Sequence, residues 1–433
     1  MSEKVEWYHD FIDNDYEPDK SDIIVLFYFE PGSGVTTEDV VGRLASESSV
    51  GTWSTLDTLD DRIYNIRARA FWFNENYVKI AYPLILWETS NIPQLLSGIA
   101  GNIFGMKAVK NLRLIDAYLP DQFIKDNAGP NMGIESIQEI MKKKEGPLTA
   151  TVPKPKIGMT VYQHCKVAQD AWSGGIDIIK DDENLTNQSF NRFKDRVEKM
   201  SKIREKVETE TGNIKEAFIN VTAETKEMEK RVKLLHDNSF RYFMIDVVTC
   251  GFSAVQTMRD TARDYNMAIH AHRAMHAAFT KHNTHGISMY FLAKLLRLIG
   301  VDNLHIGTVV GKLDSPKQDV IAMRDLLLQK EINENGFLHL PQKWGTLKPV
   351  VPVASGGLHP GTLPDVLKIY NTTDMAVQIG GGVHGHPEGT YGGAKACIQA
   401  IDAFKEGLTL EEKAKTSPEL KKSLEKFGHM RPV

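Results

Sequence analysis

The chain has 433 residues, more than one small hydrophobic core usually organises, and its 42% hydrophobic and 25% charged residues are ordinary for a water-borne globular protein. A formal net charge of -4 gives no reason to expect a nucleic-acid or membrane-surface partner, so an anionic ligand would need locally clustered cations. Three scattered cysteines, the lack of any apolar run of about 18 residues and the polar start MSEKVEWYHD argue against a disulfide framework, a membrane span and a secretory leader, and lead us to expect a cytoplasmic protein.

The first 128 residues mix strand and helix signals. IIVLFYFE at 23–30 is β-branched and aromatic, as a strand should be. PGSG turns the chain, and Thr36 with Asp39 offers a capping box ahead of Val40, Val41 and Leu44. YVKIAYPLIL at 77–86 reads as a second strand, and NIPQLLSGIAGNIFG as a helix broken by its glycines. Residues 1–128 are therefore expected to form an α+β domain, of ferredoxin-like kind.

From about residue 148 the beat becomes strand, then helix. Strand candidates are LTATVPK (148–154), GIDIIK (175–180), EAFINVT (216–222), RYFMIDV (241–247), MAIHAHR (267–273), NLHIGT (303–308), KPVVPVA (348–354) and MAVQIG (375–380). Most are short and rich in Val and Ile, as strands buried on both faces are. Eight such units predict a (β/α)₈ TIM barrel over 129–410, followed by a polar helical tail, 411–433, with a loose end.

A barrel puts its chemistry at the C-terminal ends of its strands. Polar residues follow six of the eight. GGIDIIKDDEN at 174–184 sets Lys180 beside Asp182 and Glu183; two carboxylates behind a buried strand suit a hard cation such as Mg²⁺, although a solvated acidic loop would read the same. A lysine desolvated there can lose its proton and capture CO₂ as a carbamate, turning a cation into an oxygen ligand. TVPKPKIGMT carries Lys154 and Lys156 around a proline. HAHRAMHA could chelate zinc through His-x-His, or use Arg273 as a phosphate fork with His272 as proton carrier and His276 in the core. SGG at 355–357 and GGG at 380–382 follow strands seven and eight, where barrels often hold phosphate on backbone N–H groups. GTVVGKLD places Lys312 in what reads as a lid.

Assembled in order, these segments resemble the Rubisco large-chain family. So do HIGTVVGKL, VASGG and QIGGG, together with ESSVGTW (47–53) and GNIFGMKAVKNLRL (101–114). The resemblance covers nearly the whole chain and is nearest the archaeal, form III branch. It implies carboxylation of ribulose 1,5-bisphosphate by CO₂ to two 3-phosphoglycerates, with O₂ as a competing reactant. It also implies Lys180 carbamylated by CO₂ and holding Mg²⁺ with Asp182 and Glu183, the carbamate serving as base for the C3 proton. Lys154 would protonate the product, Lys312 would close over the forming carboxylate, His272 would handle hydroxyl protons and Ser355 would orient a hydroxyl. Arg273 and His305 would hold one phosphate. Thr52, Trp53, Lys156, Gly357, Gly380 and Gly381 lie at or near the other.

Glu47, Thr52, Trp53 and Asn102 would cap a partner chain's barrel, which implies a homodimer with shared sites, alone or in an assembly of dimers, without a small subunit. The branch further implies substrate drawn from nucleotide salvage. Val152, Ile306, Val383 and His384 depart from the family's common residues and leave fine substrate contacts open. Two rivals stand beside this reading: a Rubisco-like enolase or isomerase that fixes no carbon, and a non-catalytic sugar-phosphate-binding barrel.

Overall fold

The computed structural model describes residues 7–143, 145–311 and 316–431. They fall into two compact units: one holds the chain up to Ala128 with Met275–Leu298 and Gln329–Leu347, the other holds Gly129–Ala274, Ile299–Leu328 and the chain from Lys348 onward.

The first unit is built on strands Ile23–Pro31, Arg69–Phe73, Tyr77–Tyr82 and Val109–Tyr118. Ile23–Pro31 is central and antiparallel to both Tyr77–Tyr82 and Val109–Tyr118, and Arg69–Phe73 lies outside Tyr77–Tyr82. This is the ferredoxin-like strand order, extended at one edge by Gly286–Ile287 running parallel to Val109–Tyr118. Thr36 caps helix Thr37–Glu47 in a complete capping box with Asp39, and the helix buries Val40, Val41 and Leu44. The strand expected over 77–86 stops at Tyr82, because Pro83 has no N–H for the ladder and starts a 3₁₀ turn over Leu84–Leu86.

The second unit is a parallel barrel. Its strands, in chain order, are Leu148–Thr151, Ile178–Lys180, Glu216–Phe218, Tyr242–Asp246, Ala268–His272, Asn303–His305, Val351–Ser355 and Ala376–Ile379. Each pairs with the next in that order except the third and fourth, and the eighth pairs with the first. Asn220 bridges to Met244, with Val221 N donating to Met244 O at 3.0 Å and Met244 N to Ile219 O at 2.9 Å, which joins strands three and four and closes the ring. Ala150, Ile178, Phe218, Met244, Val353 and Ala376 share one core with Ile134, Ile137 and Met141 of helix Gly133–Met141.

Asp302 locks the start of that helix to the barrel. Its buried carboxylate accepts from Met132 N (2.7 Å), Gly133 N (3.2 Å) and Ile269 N (2.8 Å). Asp302→Ala should leave three interior donors bare and cost about 3 kcal/mol, read as a lower denaturant midpoint at unchanged slope.

The tail is less loose than its composition suggests. Helix Pro418–Phe427 buries Leu420, Glu419 is clasped by Lys395 (2.8 Å) and Gln399 (2.7 Å), and His359 Nε2 meets the Met430 carbonyl at 2.7 Å. No helix among the described residues is long and apolar enough to cross a membrane.

Candidate active site

Strand two ends on Lys180, whose side chain is wholly buried. Its Nζ donates to the Asp181 carbonyl at 2.8 Å and lies 4.0 Å from Glu183 Oε2. Burial drives the ammonium below its ordinary pKa, and Glu183, Asp246 and Asp182 only partly oppose this. Lys154, just past strand one, ion-pairs with Asp182 Oδ2 at 3.1 Å. For Asp182, burial raises the pKa, but the hydrogen bond from Asn184 and the Lys154 charge outweigh it and hold the carboxyl below its ordinary value. Glu183 is similarly held down, against burial, by His272 and Lys180.

His272 ends strand five. Its Nδ1 sits 3.0 Å from Asp246 Oδ1, and its Nε2 faces Glu183 Oε2 at 3.7 Å. Burial, then the nearby Lys180 charge, lowers its pKa, and Asp246 orients the ring. Asn220 Nδ2 donates to the Glu183 carbonyl (3.1 Å) and to Asp246 Oδ2 (3.3 Å), tying strands two, three and four together. His305, in strand six, reaches Ser355 Oγ through Nδ1 at 2.6 Å and His270 Nε2 through its own Nε2 at 2.8 Å. Burial pushes the Arg273 guanidinium down to about 10, so it stays charged, and no carboxylate among the described residues pairs with it. A part-buried guanidinium that no carboxylate neutralises is a ready partner for an anion.

One face of the barrel thus brings together Lys154, Lys180, Asp182, Glu183 and His272 in a linked chain of contacts. A second group, His305 and Ser355, joins it through the His272 and His305 rings, whose centroids are 4.8 Å apart. Gly380 is close-fitting, since a Cβ there would stand 3.2 Å from Lys154 Cε, whereas Gly381 opens onto free space. Gly357 has φ +73, a conformation that favours glycine. Lys156 is exposed, and Lys312 lies outside the described residues. Glu47 ends a helix of the first unit, where burial raises its carboxyl pKa; Thr52 and Trp53 follow in a loop, with Trp53 79% exposed, and Asn102 opens the 3₁₀ turn Asn102–Gly105.

His270 and His272 serve different partners rather than one ion, and no group of three His, Cys, Asp or Glu side chains among the described residues is placed to hold a metal. His276 is not in the core: it is part-buried and bonds Thr280 Oγ1 at 2.9 Å. The residues missed by sequence reasoning are Asn220 and Asp246, with the buried group Asp181, His164 and Arg196 behind the acidic loop; His270 was read only as half of a His-x-His chelate. Asn220 and Asp246 stand at the ends of strands three and four, the two strands whose ends had drawn no attention.

Two family models match consecutive stretches of the chain. Residues 10–123 match the ribulose bisphosphate carboxylase large chain N-terminal domain, and residues 133–427 match the catalytic domain of the same large chain. The chain belongs to the ribulose bisphosphate carboxylase large-chain family. The ribulose bisphosphate carboxylase of Pyrococcus abyssi is 50% identical, with 100% of this chain and 99% of that protein covered. That of Archaeoglobus fulgidus is 46% identical over 99% of each. Among solved Rubisco structures, the octameric enzyme of Pyrococcus horikoshii in complex with sulfate superposes with a TM-score of 0.91 at 49% identity, covering 98% of each chain. The dimeric archaeal enzyme of Hyperthermus butylicus gives 0.93 at 43% identity, covering 98% of this chain and 100% of the other.

Proposed function

We propose that this chain carboxylates D-ribulose 1,5-bisphosphate with CO₂ and water to two 3-phosphoglycerates, with an oxygenase side reaction. The observation that carries the reading is the fully buried Lys180 ammonium set beside two carboxylates at the catalytic end of the barrel. Charge balance supports its carbamylation. As protonated side chains, Lys154 and Lys180 balance Asp182 and Glu183. Turning Lys180 into a carbamate changes the balance by two negative charges, the charge of one divalent cation. The resulting oxygen-only donor set, Lys180 carbamate, Asp182 and Glu183, fits Mg²⁺. When bound, the ion would supply Lewis-acid stabilisation of negative charge developing on the substrate's oxygens.

The chain's own residues then divide the work. Arg273 holds one phosphate, with the His305 ring beside it; Lys156, Gly357, Gly380 and Gly381, with Thr52 and Trp53, hold the other. His272, oriented by Asp246, shuttles hydroxyl protons. Ser355 orients a hydroxyl. Lys154, paired with Asp182, delivers the proton that completes the second product. Lys312 meets the carboxylate formed from CO₂.

We also infer a cytoplasmic homodimer without a small subunit, alone or as part of a higher oligomer of dimers. In it, Glu47, Thr52, Trp53 and Asn102 of one subunit complete the site of the other. The bared Trp53 ring supports this, as large exposed aromatics are costly unless a ligand or subunit covers them. The archaeal resemblance favours substrate from nucleotide salvage. Incubation with ribulose bisphosphate, Mg²⁺ and labelled CO₂ should place label in 3-phosphoglycerate. Proton exchange at C3 without label would support the enolase alternative, and binding without exchange the scaffold alternative.

A further inference from the structure

A buried pair of histidines inside the barrel sets the direction of a hydrogen bond at its mouth. Ser355 Oγ, His305 Nδ1 and Nε2, and His270 Nε2 form an unbroken file with separations of 2.6 and 2.8 Å. His270 is fully buried, its ring is stacked on Phe218 at 3.9 Å, and its Nδ1 has no hydrogen-bond partner among the described residues. Burial, with neighbouring positive charge, keeps both imidazoles neutral. An N···N contact between two neutral rings holds one proton, so the file has two arrangements. In one, Ser355 O–H donates inward to His305 Nδ1, His305 Nε2–H donates to His270, and His270 is left with a bare Nδ1–H. In the other, His270 Nε2–H donates to His305 Nε2, His305 Nδ1–H donates to Ser355, and the Ser355 hydroxyl proton is free to point out of the barrel.

We propose that His270 is a positioning residue that holds His305 in its Nδ1–H form and thereby makes Ser355 a hydrogen-bond donor toward the bound substrate. This rests on the proposed function for the identity of the ligand that Ser355 meets. Two arguments favour the outward arrangement. A bare buried N–H is the rarer defect in proteins than an under-satisfied acceptor. The outward arrangement also turns the positive end of the whole file toward the mouth, where the part-buried Arg273 already favours an anion.

The tautomer is read without turnover, by ¹⁵N NMR of the full protein labelled at histidine, with His305 assigned by loss of its signals in His305→Asn. The expected result is a proton-bearing Nδ1 and a bare Nε2 on His305; the reverse pattern overturns the proposal whatever the enzyme does. Function is then tested with His270→Phe, which keeps the stack on Phe218, and with His270→Gln, which keeps a donor. His270→Phe should lower kcat/KM for ribulose bisphosphate about ten-fold, the worth of one oriented hydrogen bond, and His270→Gln should recover part of it. In a Ser355→Ala background His270→Phe should cost nothing further. Equal losses in both backgrounds would mean that His270 acts only in packing. A wild-type protein that lacks carboxylase activity but shows the expected tautomer would count against the assigned reaction and not against the relay.

Discussion

Lys180→Met should remove carboxylation, by at least about a thousand-fold, while leaving the protein at least as stable as before. The two halves of this expectation have separate causes. Activity goes because the amine is the only group at that position able to take up CO₂ and present an oxygen between Asp182 and Glu183; losing a divalent cation's charge stabilisation removes several kcal/mol of transition-state binding. Stability stays because the wild-type ammonium is buried at a cost that Glu183, at 4.0 Å, repays only in part. Methionine has nearly the same length and no charge to desolvate, and it fills the same volume within the core. The sign of the stability change follows from the lowered lysine pKa: the folded state disfavours the charged form, so removing the charge relieves it. The measurements are ¹⁴CO₂ incorporation and the thermal midpoint on the same samples. A variant that melted several degrees lower and kept activity in proportion to its folded fraction would make Lys180 a structural cation, and the carbamate reading would fall.

Much of this arrangement is legible in the sequence, for physical reasons. The eight barrel strands are buried on both faces, so most are short apolar runs, several of them β-branched; seven fall inside the expected segments and the strand Val351–Ser355 runs one residue past its own. The Thr36–Asp39 cap is a local device with a local signal. Lys154, Lys180, Asp182, Glu183 and His272 were identifiable because a barrel forces strand ends to converge, whatever their separation in sequence. What sequence order hides is non-local. Nothing in residues 275–298 or 329–347 announces that they pack with the first unit. They do so through contacts such as the buried Lys294–Asp116 pair at 2.7 Å, between residues 178 apart in the chain. His270 and His305 look like separate strand histidines until parallel pairing of their strands brings the rings into contact. Asn220 and Asp246 were overlooked because a single Asn or Asp at a strand end resembles ordinary turn chemistry.

The second large effect is expected behind the acidic loop. Asp181 points away from Asp182 and Glu183 into a fully buried ionic group. Arg196 Nε and Nη2 both lie 3.1 Å from its Oδ2, the Asn220 backbone N–H donates to the same oxygen at 3.1 Å, and His164 Nε2 stands 3.2 Å from Oδ1. Arg196 also donates to the Thr186 and Asn191 carbonyls, so together with its Asp181 contact it holds the chain on both sides of Asp182 and Glu183. Burial raises the Asp181 pKa, but Arg196 and then His164 outweigh it and hold the carboxyl below its ordinary value. Arg196→Met should therefore destabilise the protein by about 3–5 kcal/mol, because it strands a buried carboxylate. The loss should depend on pH. The wild-type advantage is full above the unfolded carboxylate range and fades as pH falls through the depressed folded value, whereas the stranded carboxyl of the variant takes up its proton at higher pH. Adding Asp181→Asn to Arg196→Met should restore most of the stability, since no charge is then left without a partner, while Asn220 N–H keeps an oxygen to bond. Urea midpoints of wild type, single and double variants at two pH values decide it. A double variant no more stable than Arg196→Met would mean that the carbonyl contacts of Arg196, rather than its charge, hold the acidic loop in place.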